Sequence, residues 1–152
     1  MKRWERWGFN TTAAIVAVTG FVYLWMKYFI HSEDPFAIVN HPWQGHTLHL
    51  HLLASPAFIL MFGLVLNSHI LKKIGATRLP NRKSGMVSLV LFAVMLSSGY
   101  TLQVVTDRQL LQAVVVVHIA SGALFSLAYG LHLILSWRLS RSRPAARIRE
   151  VA

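Results

Sequence analysis

Four long stretches of the chain carry no charged residue, and short clusters of charge separate them. These stretches, each of 20 residues or more, are 7–26, 35–71, 84–106 and 109–137. A helix of about 20 apolar residues crosses the ~30 Å hydrocarbon core of a bilayer, and it satisfies its backbone hydrogen bonds without water. The pattern therefore predicts four transmembrane helices, at about residues 8–30, 48–73, 84–106 and 110–138.

These helices define the predicted architecture. We expect an all-α integral membrane protein in which residues 1–140 form a four-transmembrane-helix bundle and 141–152 form a basic cytoplasmic tail. The middle loop contains Gly75, Pro80 and Asn81, which favours a short turn between antiparallel helices. No internal repeat in the sequence is strong enough to divide the bundle further.

The basic residues are distributed unequally between the two ends of the predicted helices. Two of the 15, Lys27 and Arg108, lie at one end. The other 13 lie at the opposite end: Lys2, Arg3, Arg6, Lys72, Lys73, Arg78, Arg82, Lys83, Arg138, Arg141, Arg143, Arg147 and Arg149. Because cytoplasmic loops carry the excess of Lys and Arg, this asymmetry places both termini in the cytoplasm. We expect a multi-pass protein of the bacterial inner (cytoplasmic) membrane.

The amino-acid composition limits which protein class, partners and cofactors are possible. The chain is 55% hydrophobic and 13% charged, with a mean hydropathy of +0.49, which is typical of a membrane protein. Its net charge of +10 lies in clusters between apolar stretches, so we expect no nucleic-acid partner. The absence of cysteine excludes disulfides, iron–sulfur clusters and covalently attached haem. The eight histidines are then the main candidates for chemistry.

Four histidines lie within the predicted spans: His51, His69, His118 and His132. A histidine inside a membrane is costly enough to indicate function. His118 and His132 are fourteen residues apart, which brings both rings to one helix face within about 40° and about 21 Å apart in height. His51 and His69 are eighteen apart, which again gives one face and a rise of about 27 Å.

The predicted topology pairs these histidines at two depths. His51 meets His118 near the outer surface, and His69 meets His132 near the inner surface. Each pair can place one imidazole on either side of a haem iron, so we predict two b-type haems with these four axial ligands. The two spacings differ by about 6 Å. This mismatch leaves the nearby His46 or His49 as an alternative outer ligand.

Other residues lie on the same helix faces as these histidines. On the second helix they include Ser55, Phe58 and Phe62, and on the fourth they include Gly122, Phe125 and Tyr129. The aromatic rings either fill the space between haems or pack the helices together. Ring N–H groups of the ligands need acceptors, for which Ser55, Ser68, Ser121 and Thr101 are candidates.

The chain resembles the di-haem membrane cytochromes b, including the four-helix b subunits of quinone-linked dehydrogenases. The resemblance rests on His118 and His132 on the fourth helix, His51 on the second, and the layout of four spans. It implies bis-histidine haem b and exchange of electrons between a quinone pool and a c-type cytochrome or other redox subunit. In the formate-dehydrogenase type a first-helix ligand holds the inner haem, and here His69 would replace it.

Three other interpretations remain open. A single haem could be held by His51 with His118 or by His69 with His132. A zinc, copper or nickel site for metal binding or transport could use the outer histidines, which are His41, His46, His49 and His51. The chain could also be a structural membrane anchor of a complex. In the main interpretation it is an electron-transfer subunit of an oxidoreductase and not an enzyme by itself.

Overall fold

The computed structural model describes residues 2–67, 71 and 82–141, except for the side chains of 82–84, 139 and 140. Four helices account for most of these residues: α1 (Arg3–Tyr28), α2 (Gln44–Val65), α3 (Arg82–Thr101) and α4 (Arg108–Arg141). The prediction of an all-helical fold with four helices is confirmed for the described residues. The helices form two units, one containing α1 and α2 and the other α3 and α4.

α1 and α4 begin before their predicted first residues because capping groups lie beyond the charge-free stretches. At the start of α1, the Lys2 backbone N–H donates to the Glu5 carboxylate at 2.8 Å. At the start of α4, Asp107 accepts from the Leu110 N–H at 2.8 Å, which satisfies a backbone donor that the helix itself cannot. α3 instead ends early, since the chain turns directly after Thr101.

Length and composition support the membrane prediction in part. Among the described residues, three helices are long and apolar enough to cross a membrane: Arg3–Tyr28, Gln44–Val65 and Arg108–Arg138. Gly85–Thr101, within α3, is a shorter apolar helix. Many large apolar side chains of these helices are exposed, including Leu53 at 78%.

The first unit is a helical hairpin packed through aromatic rings. Phe9 of α1 lies with its ring centroid 5.4 Å from that of Phe58 and 6.2 Å from that of Phe62, both on α2. Phe58 is only 3% exposed. Gly8 allows Met61 to approach α1, because a Cβ on Gly8 would lie 2.5 Å from the Met61 terminal methyl. These contacts fix how the two helices face each other.

The second unit is also a hairpin, formed by α3 and α4. The ring centroids of Phe92 on α3 and Phe125 on α4 are 5.8 Å apart. Phe125 also stacks on Tyr129, one turn further along α4, at 5.8 Å with parallel planes. Phe92 and Phe125 are both buried. In each hairpin, therefore, phenylalanines on both helices form the centre of the packing.

Candidate functional site

His51 on α2 is held against α1. Its ring atom Nδ1 lies 3.0 Å from the carbonyl oxygen of Val16 and 3.2 Å from the hydroxyl oxygen of Thr19. The ring can come this close because Gly20 has no side chain. A Cβ on Gly20 would lie 3.0 Å from His51 Cε1 and 3.3 Å from Nδ1, closer than carbon atoms normally approach.

His118 on α4 is held against α3 in the same way. Its Nδ1 lies 3.1 Å from the carbonyl oxygen of Met95 and 3.3 Å from the hydroxyl oxygen of Ser98. Gly99 again leaves the space for the ring, because a Cβ there would lie 2.9 Å from His118 Cε1 and 3.2 Å from Nδ1. The second hairpin therefore repeats the contacts of the first.

The spacing of the contacting residues is identical in the two hairpins. On the first helix of each, the carbonyl residue precedes the hydroxyl residue by three positions, and glycine follows the hydroxyl residue directly. On the second helix, a buried phenylalanine follows the histidine by seven positions, as Phe58 after His51 and Phe125 after His118. We name each set, a histidine with its carbonyl, hydroxyl and glycine, a histidine clasp.

The repeated clasp is a feature that the sequence analysis missed. No internal repeat was predicted from the sequence, yet the same local arrangement occurs in both hairpins. The sequence signal was present as Thr19-Gly20 in the first span and Ser98-Gly99 in the third, each preceding a histidine in the following span.

The clasp determines which ring nitrogen carries the proton. The Thr19 hydroxyl donates its one hydrogen to carbonyl oxygens of its own helix, at 2.8 Å to Ile15 and 3.1 Å to Val16. Its oxygen and the Val16 carbonyl therefore both act as acceptors toward His51 Nδ1. Two acceptors require Nδ1 to be the N–H donor, which leaves the lone pair of the neutral ring on Nε2.

The same reasoning applies to His118. The Ser98 hydroxyl donates to the carbonyl oxygens of Val94 at 2.8 Å and Met95 at 3.0 Å, so its oxygen accepts from His118 Nδ1. A metal ion bound by either ring would be bound through Nε2. An imidazole whose other nitrogen donates to a protein acceptor is the usual arrangement of a histidine metal ligand.

The serines and the threonine named from the sequence as ring acceptors have other partners. Ser55 donates to the carbonyl of His51 at 2.7 Å, and Ser121 donates to those of Val117 at 2.7 Å and His118 at 3.2 Å. Thr101 donates to the Ser97 carbonyl, and Ser68 lies outside the described residues. Ser55 and Ser121 lie on the same helices as His51 and His118, whereas the observed acceptors Thr19 and Ser98 lie on the neighbouring helices.

The structure describes the surroundings of the other candidate ligands, His69 and His132, less fully than those of His51 and His118. His132 is half-buried on α4, which is continuous from Arg108 to Arg141, so it lies about 21 Å along the helix from His118. His69 lies outside the described residues. His51 and His118 belong to different units. Both predicted pairings, His51 with His118 and His69 with His132, stay predictions.

The outer histidines make contacts of a different kind. His41 Nδ1 accepts the backbone N–H of Trp43 at 3.1 Å, and His46 lies edge-on to the Trp43 ring at 5.9 Å between centroids. His46 and His49 are exposed, whereas His51 is half-buried. Within the described residues, no three His, Cys, Asp or Glu side chains come together in a way that could hold a metal ion.

The phenylalanines near the clasps have helix-packing roles in the described hairpins. Phe58 and Phe62 contact Phe9, and Phe125 contacts Phe92. Gly122, on the same face of α4 as His118, lies where an added Cβ would be 3.7 Å from Met95 Sδ, an ordinary contact distance. These residues support the clasps by fixing the helix pairs.

An open groove of about 390 Å³ lies beside the second clasp, between α3 and α4. Its lining is mostly apolar, with three hydroxyl side chains, and consists of Ala93, Val94, Ser97, Ser98, Thr101, Val114 and Val117. The groove is open and shallow, and Ser98, the hydroxyl partner of His118, is buried at its base. Comparisons of the chain with protein family models, characterised proteins and solved structures gave no match.

Proposed function

We propose that the protein carries electrons across a membrane through b-type haem bound by its own histidines. The observation that supports this proposal most is the histidine clasp, which occurs in both hairpins and places the ring proton of His51 and of His118 on Nδ1, so that a metal ion would be bound through Nε2. A lone intramembrane histidine can serve packing alone. Two rings oriented by the same three groups are better explained by a shared ligand.

The residues of the clasps fit haem iron. Neutral imidazole is a common axial ligand, and a hydrogen bond from its second nitrogen to a carbonyl strengthens it as a donor. When bound, haem supplies a one-electron couple. His51 and His118 would hold one haem near the outer surface, and His69 and His132 a second near the inner surface. The chain would orient the rings and keep water away with apolar residues such as Phe58 and Phe125.

In this proposal the chain crosses the bilayer four times, with both termini in the cytoplasm of a bacterium. α3 is about 30 Å long including Arg82 and Lys83 at its start, and its apolar part, Gly85–Thr101, spans about 26 Å of the ~30 Å hydrocarbon core. The unequal distribution of Lys and Arg supports the orientation. The partners are membrane lipid, a quinone pool, and a c-type cytochrome or other redox subunit that supplies the substrate chemistry.

A reduced-minus-oxidised absorption spectrum of the purified protein, with a haem count, tests the proposal. We expect b-type bands and two haems per chain. His51→Ala and His118→Ala should each lose one haem, whereas His49→Ala, which changes an exposed histidine of the same helix, should keep both. His132→Ala should lose the other haem.

Three results would contradict parts of the proposal. A protein without b-type absorption would refute haem binding, and bound zinc or copper in its place would favour the metal-site interpretation. A count of one haem, lost in both His51→Ala and His118→Ala but kept in His132→Ala, would refute the inner site alone. Equal haem loss in His49→Ala and His51→Ala would show that the clasp does not mark the outer ligand.

A further inference from the structure

We propose that the hydroxyl groups of Thr19 and Ser98 are positioning groups that set the electron-donor strength of His51 and His118. This inference rests on the proposed haem-binding function and goes beyond it, because it assigns control of the reduction potential to two side chains that would not touch the iron. The hydroxyl groups act through hydrogen bonds from the imidazole Nδ1.

The geometry gives each hydroxyl a fixed direction. The Thr19 hydroxyl hydrogen is used at 2.8 Å by the carbonyl of Ile15, one turn earlier in α1. The hydroxyl oxygen is thereby held with its lone pairs toward His51, 3.2 Å from Nδ1. The Val16 carbonyl is the first acceptor at 3.0 Å, and the hydroxyl is the second. Nδ1–H is thus shared between two acceptors.

Two acceptors on one N–H make the imidazole more basic than one acceptor does. A more basic axial ligand stabilises the oxidised iron relative to the reduced iron, because the oxidised form carries one more positive charge. The hydroxyl should therefore lower the reduction potential, and its removal should raise it. The backbone carbonyl would remain to hold the ring, so the ligand itself would be retained.

The second clasp supports the same assignment with a different residue. Ser98 donates to the Val94 carbonyl at 2.8 Å, and its oxygen lies 3.3 Å from His118 Nδ1. Threonine and serine share the hydroxyl but differ in the methyl group. The group that recurs beside both rings is therefore the hydroxyl, which indicates a polar role in addition to packing.

An alternative explanation is that each hydroxyl only satisfies its own hydrogen bond inside an apolar helix. The chain contains matched controls for this. Thr12, seven residues before Thr19, donates to the Gly8 carbonyl at 2.8 Å. Ser126, eight residues after His118, donates to the Gly122 carbonyl at 2.8 Å. If local satisfaction were the only role, removing these hydroxyls would have the same effect as removing those of the clasps.

The experiment is a redox titration of the purified haem-loaded protein, comparing Thr19→Val with Thr12→Val and Ser98→Ala with Ser126→Ala. At a fixed ambient potential, each clasp variant should shift the ratio of reduced to oxidised haem about threefold toward the reduced form. Since a tenfold change is 59 mV for one electron, this equals a rise of about 28 mV. The control variants should match the unaltered protein, and the double clasp variant should shift the ratio about ninefold if both rings bind one haem.

A spectroscopic readout accompanies the titration. The g values of the oxidised low-spin haem should change in the clasp variants and stay fixed in the controls, with equal haem content throughout. Clasp variants that keep their haem and titrate like the controls would overturn the inference. An unaltered protein that binds no haem would instead refute the proposed function, so the two failures are distinguishable.

A second measurement needs no haem. Ring-nitrogen NMR of the haem-free protein with ¹⁵N-labelled histidine should find His51 and His118 as Nδ1–H tautomers, assigned by loss of each signal in its alanine variant. A dominant Nε2–H tautomer at either ring would overturn the inference, because the hydroxyl would then not accept from Nδ1.

Discussion

Replacing Gly20 by alanine tests how closely His51 must approach α1. The added Cβ would lie 3.0 Å from His51 Cε1 and 3.3 Å from Nδ1, whereas carbon atoms in contact prefer about 3.5–4.0 Å. The ring must therefore withdraw by about 0.5 Å. This movement would stretch the contact between Nδ1 and the Val16 carbonyl from 3.0 Å to the outer limit of a hydrogen bond.

The expected change in the free energy of unfolding of Gly20→Ala is the sum of three contributions. Crowding in a packed contact costs about 1–3 kcal/mol, and weakening the hydrogen bond costs about 1 kcal/mol. Alanine has a higher helix propensity than glycine, which offsets about 1 kcal/mol of this destabilisation. Gly20→Ala should therefore destabilise the protein by about 1–3 kcal/mol. Gly63→Ala is the matched control, because no atom lies within 4 Å of its added Cβ, and it should stabilise α2 by about 1 kcal/mol.

The assay is unfolding of the two variants in mixed micelles with increasing SDS, followed by circular dichroism. The variants should differ by about 2–4 kcal/mol in free energy of unfolding. Gly99→Ala and Gly130→Ala form the equivalent pair in the second hairpin, since Gly130 also has open space around it. If Gly20→Ala unfolded with the same free energy as Gly63→Ala, the close approach of the His51 ring would be refuted.

The packing of the hairpins and their orientation give further predictions. Phe58→Ala should reduce the free energy of unfolding by about 3 kcal/mol because the ring is 3% exposed, whereas Leu53→Ala, at 78% exposed, should change it by less than about 0.5 kcal/mol in the same assay. Equal effects would refute the hairpin core. Since the chain has no cysteine, Phe36→Cys should react with a membrane-impermeant maleimide in intact cells, and Arg149→Cys only after permeabilisation. The reverse result would refute cytoplasmic termini.

Hydropathy was sufficient to predict the four helices, because a span in lipid needs a long apolar stretch whatever its neighbours are. It also indicated that His51 and His118 need hydrogen-bond partners, since each is a polar ring inside such a stretch, and the structure shows these partners. Hydropathy could not identify the partners. Whether Thr19 or Ser55 faces the ring depends on the rotation of α1 against α2, and that rotation is set by the contacts of Phe9 with the rings on α2.

The repeated clasp escaped the sequence analysis for a geometric reason. Ser98 follows Thr19 by 79 residues, but His118 follows His51 by only 67. The difference arises because 15 residues connect α1 to α2 and only six connect α3 to α4, and because the helices extend by different amounts beyond the clasp. No single sequence offset aligns both the hydroxyl-glycine pair and the histidine of the two clasps. The repeat is therefore visible only in the structure, where the helices of each hairpin are seen side by side.

Each clasp is built from groups of a single hairpin, and this affects the order of assembly. The rotational freedom of His51 is lost when α1 packs on α2, and that of His118 when α3 packs on α4. If the protein binds haem as proposed, a haem that arrives afterwards would meet imidazoles that are already oriented, with the proton on Nδ1. Such preorganisation lowers the entropy cost of binding and favours capture at low cofactor concentration. In the proposed function, each hairpin would thus orient its own haem ligand without help from the other hairpin.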